Sequence, residues 1–322
     1  MQSSSRMHNE RPDDFDDEID LRELFAIIWR GKWFIILLTV VCAIAGITYA
    51  KLQPDIYSSS ALLAPKDGGA GKAGGALQGL ASLAGVNVGG GDSNQSVIAQ
   101  EVLTSRAFLS SFIERHGYGP ELVATIGWSS NSNELEFDQE RYNPGTGEWK
   151  AGESGQLLKP SMWGLVNRFR ANLSTSTSQK TGMIQVSFQH YSPLFAEEVV
   201  TNLVNDLNNH MRKLDIEEAE RSIAYLQQKI KETSIAGMQQ VFFQLIETET
   251  RKVMLAHSSP EYVFRVIDPA VAPERPSEPK RLLIAAVATM TGGLLGILIV
   301  LIRSFMRKGA TEAKNPPTLK QE

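Results

Sequence analysis

The sequence from position 273 to position 302 reads PERPSEPKRLLIAAVATMTGGLLGILIVLI. Its last 21 residues, 282–302, carry no charge and lie between Arg281 and Arg303. A bilayer core of roughly 30 Å needs about 20 apolar residues in a helix, so this stretch predicts a membrane span. The 18 uncharged residues 33–50, between Lys32 and Lys51, predict a second span near the N-terminus.

Proline and glycine punctuate residues 273–302 in two patterns. The three prolines recur every third residue, which is one turn of a polyproline II helix, and predict a stiff connection into the span. Two of the three glycines have the Gly-x-x-x-Gly spacing that lets another helix approach closely. Because membrane helices often contain glycine, spacing alone favours helix contact and ordinary composition equally. The candidate assembly residues are Pro273, Pro276, Pro279, Lys280, Gly292, Gly293 and Gly296.

The first span is predicted to be a retained anchor and not a signal peptide. Six carboxylates lie within residues 13–20, whereas a signal peptide begins with a short basic region and ends at a small-residue cleavage site. Basic residues flank the outer ends of both spans, at Arg30 and Lys32 and again at Arg303 and Arg307. This pattern predicts cytoplasmic termini in a bacterial inner membrane and a periplasmic loop.

The predicted organisation therefore has five parts. They are a cytoplasmic tail with a juxtamembrane helix (1–32), a span (33–50), a periplasmic domain (51–281), a second span (282–302) and a cytoplasmic tail (303–322). About 230 residues lie between the spans, enough to bury a sizeable core.

The domain mixes helical and strand periodicity. Strands are predicted at 57–64, 183–188 and 262–267, with the last returning to pair beside the strand near residue 60. Helices are predicted at 96–115 and 161–173, and residues 117–160 are predicted to be irregular. A long helix is expected from about 193 to 256, with a break or bend at Gly237, projecting from the domain over roughly 90 Å. The fold class is therefore an α+β membrane protein: an α/β base between two transmembrane helices, with a long protruding helix.

The sequence offers no recognisable catalytic, cofactor-binding or metal-binding residues. Its single cysteine, Cys42, lies in the first span, and its five histidines lack metal-ligand spacing. The glycine-rich segment 67–91 fails the Walker pattern because Ala73 follows Gly71 and Lys72. A net charge of −4 gives no reason to expect nucleic acid as a partner. We therefore predict a protein that is not an enzyme and needs no cofactor.

These features together resemble the Wzz family, the regulators of lipopolysaccharide O-antigen chain length, also called class 1 polysaccharide co-polymerases. The resemblance runs from the acidic start into residues 17–24, through the strand after Tyr57 and the long charged helix, to residues 262–269. Its most specific part is the proline and glycine pattern from Pro273 to Gly296, which matches the family pattern position by position.

The resemblance implies a periplasmic α/β base, a rising helix and side-by-side assembly into an octamer-like ring. It also implies action with the Wzy polymerase, without catalytic residues of its own, to set the preferred number of repeats. The nascent undecaprenyl-linked polysaccharide is a further partner that it allows. We expect the assembled surface to control chain length, and Gly292 and Gly296 to contact another helix, in a neighbouring copy or in the polymerase.

Other classes stay open at this point. A co-polymerase for capsule or exopolysaccharide with a tyrosine kinase shares the two-span plan, but residues 303–322 contain no tyrosine, so its kinase would be a separate chain. Chain-length control of enterobacterial common antigen is a related alternative. A sensory receptor would need a signalling helix bundle after the second span, and a transporter would need more spans.

Overall fold

The computed structural model of the chain describes residues 21–66, 91–152 and 155–312. It contains two compact units: a span unit (Met1–Gln53 with Lys280–Glu322) and an inter-span domain (Pro54–Pro279). The glycine-rich segment and the outer parts of both tails lie outside the described residues. The described helices and strands are α1 Leu21–Arg30, α2 Lys32–Leu52, β1 Tyr57–Pro65, α3 Gly91–Thr104, α4 Arg106–His116, α5 Gly119–Val123, β2 Thr125–Ser129, β3 Glu134–Phe137, β4 Tyr142–Asn143, β5 Glu148–Trp149, α6 Met162–Asn172, β6 Leu173–Thr177, β7 Ile184–His190, α7 Pro193–Glu232, α8 Ala236–Ser258, β8 Phe264–Asp268 and α9 Arg281–Glu312.

Two helices of the span unit are long and apolar enough to cross a membrane, Lys32–Leu52 and the part of α9 at Arg281–Ser304. Both contain the predicted spans. Helix α9 has 32 residues and ends ten residues after the predicted span. At 1.5 Å per residue it is roughly 48 Å long, more than a bilayer core requires.

The inter-span domain is built on a four-stranded antiparallel sheet with the order β6-β7-β1-β8. Strand β1 pairs with β7 from Tyr57↔His190 to Leu63↔Ile184, and with β8 on its other edge. The prediction that the last strand returns beside residue 60 is therefore confirmed. Strand β6 was not predicted, because its sequence LSTST has no apolar alternation and four of its five residues are exposed.

Helix α7 packs its first five turns across this sheet. Its start agrees with the sequence: Ser192 Oγ accepts a hydrogen bond from the backbone N–H of Phe195 at 3.3 Å, and Pro193 occupies the first turn. Apolar residues spaced by three and four then enter one core with β1, β7 and α4. The fully buried members from α7 are Val199, Val200, Leu203 and Leu207.

The outer edge of β8 is held by a buried side chain of α7. Asn208 Oδ1 accepts hydrogen bonds from the backbone N–H groups of Val263 and Phe264, each at 2.9 Å, and its Nδ2 donates to the Phe264 carbonyl at 3.0 Å. Asn208 therefore replaces a neighbouring strand at this point and satisfies backbone groups that would otherwise be unpaired.

The helix expected over residues 193–256 is interrupted at residues 233–235, close to the break or bend expected at Gly237, and the chain turns back on itself there. Helix α7 ends at Glu232, residues 233–235 are extended, and α8 runs antiparallel to α7. Gln239 Nε2 donates to the Thr233 carbonyl at 2.7 Å near the turn, and Tyr262 donates to Asp215 at 2.7 Å after α8 has ended. The structure has a helical hairpin, with α7 roughly 60 Å and α8 roughly 35 Å long. Gly237 lies within the first turn of α8, so the break precedes it.

Of three further local predictions, one is confirmed and two differ from the structure. The helix expected at 161–173 is confirmed as α6. The helix expected at 96–115 is two helices, since Ser105 is extended and its Oγ caps α4 by accepting from the Phe108 N–H at 3.3 Å. The region expected to be irregular contains α5 and two short hairpins, and Asn143 begins the turn of the second, where the Gly147 N–H donates to its carbonyl at 2.9 Å.

We predict that the stability of the domain falls as the pH drops from 6.5 towards 4, because of His190. This side chain is buried between α5 and α7; its Nδ1 accepts from the Ser192 N–H at 3.2 Å and its Nε2–H donates to the Glu121 carbonyl at 3.0 Å. Burial lowers the pKa of the His190 imidazole to about 4. Above the unfolded-state pKa of about 6.5 the neutral imidazole does not lower the free energy of unfolding. At pH 5 the unfolded state binds a proton that the folded state does not, which lowers the free energy of unfolding by about 2 kcal/mol.

Thermal unfolding of the full-length protein in detergent between pH 4.5 and 7.5 measures this effect. His190→Gln should be less stable at pH 7.5 and should have a shallower pH dependence than wild type. The exposed His257→Gln should behave like wild type. Burial raises the pKa of the Glu121 carboxyl, which acts with the opposite sign, so the difference between His190→Gln and wild type reports the histidine. Equal slopes for the two would contradict the assignment.

Candidate functional site

The candidate glycines lie where the two membrane helices touch. A Cβ built on Gly292 would lie 2.6 Å from Cys42 Cβ and 3.2 Å from Thr39 Cα, and one on Gly296 would lie 3.1 Å from Ile35 Cα. Real Cβ atoms do not approach other carbons at 2.6 Å, so any side chain at Gly292 would push α2 and α9 apart. The glycines therefore allow the two backbones to approach closely.

The close approach continues along both helices in antiparallel register. A Cβ on Gly31 would lie 2.5 Å from a methyl carbon of Val300, and one on Gly46 would collide with the Ala288 methyl group. Gly293 differs, because a Cβ there would meet only the Thr39 hydroxyl at 3.6 Å. We call the contact made by Gly31, Gly46, Gly292 and Gly296 the glycine seam. The helix that Gly292 and Gly296 contact in the structure is the first span of the same chain; the expected contact with a second copy or the polymerase stays a prediction.

The proline-rich run is tied to the start of β1. Ser277 donates to the Ile56 carbonyl through its backbone N–H at 2.8 Å and through Oγ at 2.9 Å. Ile56 N–H in turn donates to the Glu278 carbonyl at 3.0 Å, and a cis peptide bond joins Glu278 to Pro279. The chain leaves the domain beside the point where it entered. Pro273, Pro276 and Pro279 lie within this connection, and the carbonyl of Lys280 accepts hydrogen bonds from the first turn of α9.

The distal part of the helical hairpin, residues 212–232 with α8, has very little interior. We call this part the arm. Within the arm, all of which the structure describes, only Ala219 and Ala256 are buried. Large apolar side chains are instead exposed. Leu214 and Tyr225 belong to α7, and those of α8, which lie on more than one side of the helix, are Met238, Val241, Phe243, Leu245, Met254 and Leu255. So many exposed apolar side chains are typical of an interaction surface.

A polar cluster fixes α7 against the turn between α4 and α5. Tyr118 donates to Glu198 Oε1 at 3.0 Å and accepts from Asn202 Nδ2 at 2.8 Å, and Arg115 pairs with Asp206 at 2.9 Å. Burial, chiefly, raises the pKa of the Tyr118 phenol. The phenol is therefore a hydrogen-bond donor at neutral pH, and the cluster has a positioning role.

The described residues provide no cluster of metal ligands. Across residues 21–66, 91–152 and 155–312, no group of three or more His, Cys, Asp or Glu side chains could hold a metal ion. The features that stand out are surfaces between helices. Sequence reasoning found the glycines of the seam in α9 but missed Gly31, Gly46 and the exposed faces of α8, because neither small-residue spacing nor apolar periodicity says which face is left uncovered.

Comparison with known proteins agrees with this picture. The model of the family "Wzz: Chain length determinant protein" matches residues 17–116, from the acidic start through the first span to the end of α4. The model "GNVR: G-rich domain on putative tyrosine kinase" matches residues 233–305, which include α8, the proline-rich run and the glycines of the second span. The comparison with curated proteins gives no match.

Two solved structures resemble the chain at low identity. One is a full-length bacterial polysaccharide co-polymerase, with 15% identity and a TM-score of 0.38 over 90% of this chain and 99% of that one. The other is a fragment of WzzB, a polysaccharide co-polymerase from Salmonella Typhimurium, with 12% identity and a TM-score of 0.34 over 70% of this chain and all of that one.

The family assignment rests on the sequence matches. The Wzz model covers the first span and the start of the inter-span domain, and the second model covers α8, the proline-rich run and the second span. The chain therefore carries a Wzz chain length determinant domain at residues 17–116 and a GNVR domain at residues 233–305.

Proposed function

We propose that this protein regulates the chain length of lipopolysaccharide O-antigen, as an oligomeric and non-catalytic partner of the Wzy polymerase. The observation that carries the proposal is the Wzz match over residues 17–116, which spans the first membrane helix and enters the domain. The two helices long and apolar enough to cross a membrane support it.

We place the protein in the bacterial inner membrane with the inter-span domain in the periplasm. Arg30 and Lys32 flank the outer end of the first span, and Arg303 follows the second, as expected when both termini are cytoplasmic. The antiparallel packing of α2 and α9 supports this two-pass topology. In this arrangement the domain lies on the side of the membrane where lipid-linked repeats are joined.

The proposed mechanism uses surfaces and not a pocket. Copies stand side by side, with the arm of each copy covering the exposed apolar side chains of the next. Because these side chains lie on more than one side of α8, the arm can contact two neighbours at once, as a closed ring requires. The glycine seam fixes the two spans of each copy as one unit that neighbours and the polymerase meet.

The second candidate function is a co-polymerase for capsule, exopolysaccharide or enterobacterial common antigen. The match of residues 233–305 to a G-rich domain found on putative tyrosine kinases favours this alternative. A kinase supplied as a separate chain would then dock on the cytoplasmic side.

The first prediction concerns the lipopolysaccharide ladder of a host that lacks its own length regulator. Expression of this chain should convert an unregulated ladder into a clustered range of band lengths on a gel. The empty vector is the control, and the protein is verified in the membrane fraction. An unchanged ladder, with the matching polymerase co-expressed, would contradict O-antigen regulation and move the assignment to another surface polysaccharide.

The second prediction concerns the arm. Val241→Glu with Leu245→Glu should shift the full-length protein in nanodiscs from an oligomer towards monomers, because two carboxylates cannot be buried unpaired in an apolar contact. Mass photometry measures the shift. Gln240→Glu with Gln244→Glu adds the same charge at exposed polar positions of α8 and should leave the oligomer intact. If both pairs behave alike, the apolar surface is not the contact.

The third prediction tests the seam. Gly292→Leu with Gly296→Leu should lower the thermal stability of the span pair and abolish or shift the band cluster, because the added side chains meet the backbone of α2. Gly293→Ala is the matched control, since its Cβ has room. Normal length control by the double variant, with normal protein levels, would show that close packing of the spans is dispensable.

A further inference from the structure

One part of the inter-span domain stands apart because none of its described side chains is buried. It comprises residues 126–152 and 155–164, and we call it the tryptophan lobe. It contains Trp128, Trp149 and Trp163, which are all of the tryptophans between the spans. Trp163 is 55% exposed. Trp128 and Trp149 are half-buried. A segment that keeps large aromatic side chains at least partly exposed without building a core is typical of a binding surface.

Aromatic contacts give the lobe its local order. The Tyr142 ring lies between Phe137 and Trp149, with centroid distances of 5.5 Å and 5.2 Å. Strands β4 and β5 pair Tyr142 with Trp149, and the Lys150 N–H donates to the Arg141 carbonyl at 2.9 Å. Both contacts are tilted, with interplanar angles of 56° and 57°, so they fix the position of the Tyr142 ring without stacking on its face.

Beside this ring lies an open cavity of about 180 Å³. Its lining is mostly polar: Gln139, Tyr142, Asn143, Pro144 and Lys150. Asn143 Oδ1 accepts from the Gly145 N–H at 3.0 Å, which leaves its amide nitrogen as a donor. The Lys150 ammonium, the Gln139 amide and the Tyr142 hydroxyl make no hydrogen bond to any residue that the structure describes. The cavity thus presents several donors and an amide acceptor beside an aromatic ring.

We propose that this cavity binds one sugar unit of an acidic polysaccharide, with the carboxylate of a uronate residue paired to Lys150. A pyranose ring has an apolar C–H face that packs on an aromatic ring and a rim of hydroxyl groups that need both donors and acceptors. Tyr142 supplies the ring. The Gln139 amide can both donate and accept hydrogen bonds, and the Asn143 amide nitrogen can donate. The cavity is smaller than the roughly 300–1,000 Å³ typical of sites for drug-sized ligands, in keeping with a single sugar.

The chemistry selects an acidic sugar over the other small ligands that a polar cavity could take. Lys150 is the only cation in the lining, and no described carboxylate lines the cavity to neutralise it. A polyphosphate would need more than one cation, and a metal ion would be repelled by the Lys150 ammonium, which has no lone pair to offer it. This inference rests on the proposed function only in assuming that a polysaccharide passes the domain.

The test measures sugar binding directly on the full-length protein in nanodiscs prepared without glycosidic detergents, which would compete for the site. Saturation-transfer difference NMR with glucuronate, galacturonate and glucose reports contact with each sugar. Gln139 and Lys150 are exposed, so alanine at either position should leave the fold intact. Lys159→Ala removes the same charge from an exposed position of the lobe that does not line the cavity and is the matched control.

We expect both uronates to give stronger signals than glucose, and Lys150→Ala to weaken uronate binding about tenfold, the usual scale for a charged hydrogen bond. Gln139→Ala should weaken the binding of all three sugars, and Lys159→Ala should leave the binding of all three unchanged. Absence of signal for every sugar, or signals that survive Lys150→Ala and Gln139→Ala together, would overturn the site. Equal signals for uronates and glucose would overturn the preference for an acidic sugar.

The ladder assay separates this inference from the proposed function. A regulated ladder without sugar binding leaves the length regulator standing and removes the site. Sugar binding that depends on Lys150, together with an unregulated ladder, keeps the site and removes the assignment to O-antigen.

Discussion

The domain depends on the placement of β1 between β7 and β8. Strand β1 is the first element after one membrane helix, and β8 is the last strand before the other. Their pairing brings the two ends of the domain together, and the hydrogen bonds of Ile56 with Ser277 and Glu278 extend that closure beyond the strands. Helix α7 can cover the sheet only because these strands present one continuous apolar face, with Leu63, Val186 and Phe264 among its fully buried residues.

Different interactions hold the helices together in the two units. In the inter-span domain, burial of large side chains such as Leu203 and Phe188 is favourable because it removes apolar surface from water. In a bilayer that driving force is lost, since lipid is as apolar as leucine, and close contact has to supply the attraction. The glycine seam provides this contact at Gly292 and Gly296, where the α2 backbone lies so close that a Cβ atom on either glycine would crowd it.

Much of the fold could be predicted from the sequence because alternation and helical spacing report directly on burial. The strands at residues 57–65 and 184–190, the start of α7 at Ser192 and both membrane helices follow from such patterns. Strand β6 could not be predicted, because an exposed edge strand of serine and threonine has no apolar face. The turn between α7 and α8 was missed because Thr233, Ser234 and Ile235 are weak helix breakers, and the return of α8 depends on tertiary packing.

The candidate site divides in the same way. The glycine spacing predicted a close contact with another helix, but spacing contains no information about which helix makes that contact. The structure supplies the first span of the same chain as one partner. Residues 126–160 of the tryptophan lobe were expected to be irregular, and the cavity could not be predicted because it depends on how the hairpin of β4 and β5 brings Gln139, Tyr142 and Lys150 together.

The strand order also has a kinetic meaning. Each partner of β1 lies far along the chain: Ile184 pairs with Leu63, and Phe264 pairs with Pro65. During synthesis β1 therefore has no neighbour until β7 has emerged, and its second edge stays open until the second membrane helix is about to follow. Contacts of such large sequence separation form slowly. The sheet is thus completed just before α9 follows, so closure of the domain and insertion of the second membrane helix fall in the same short interval.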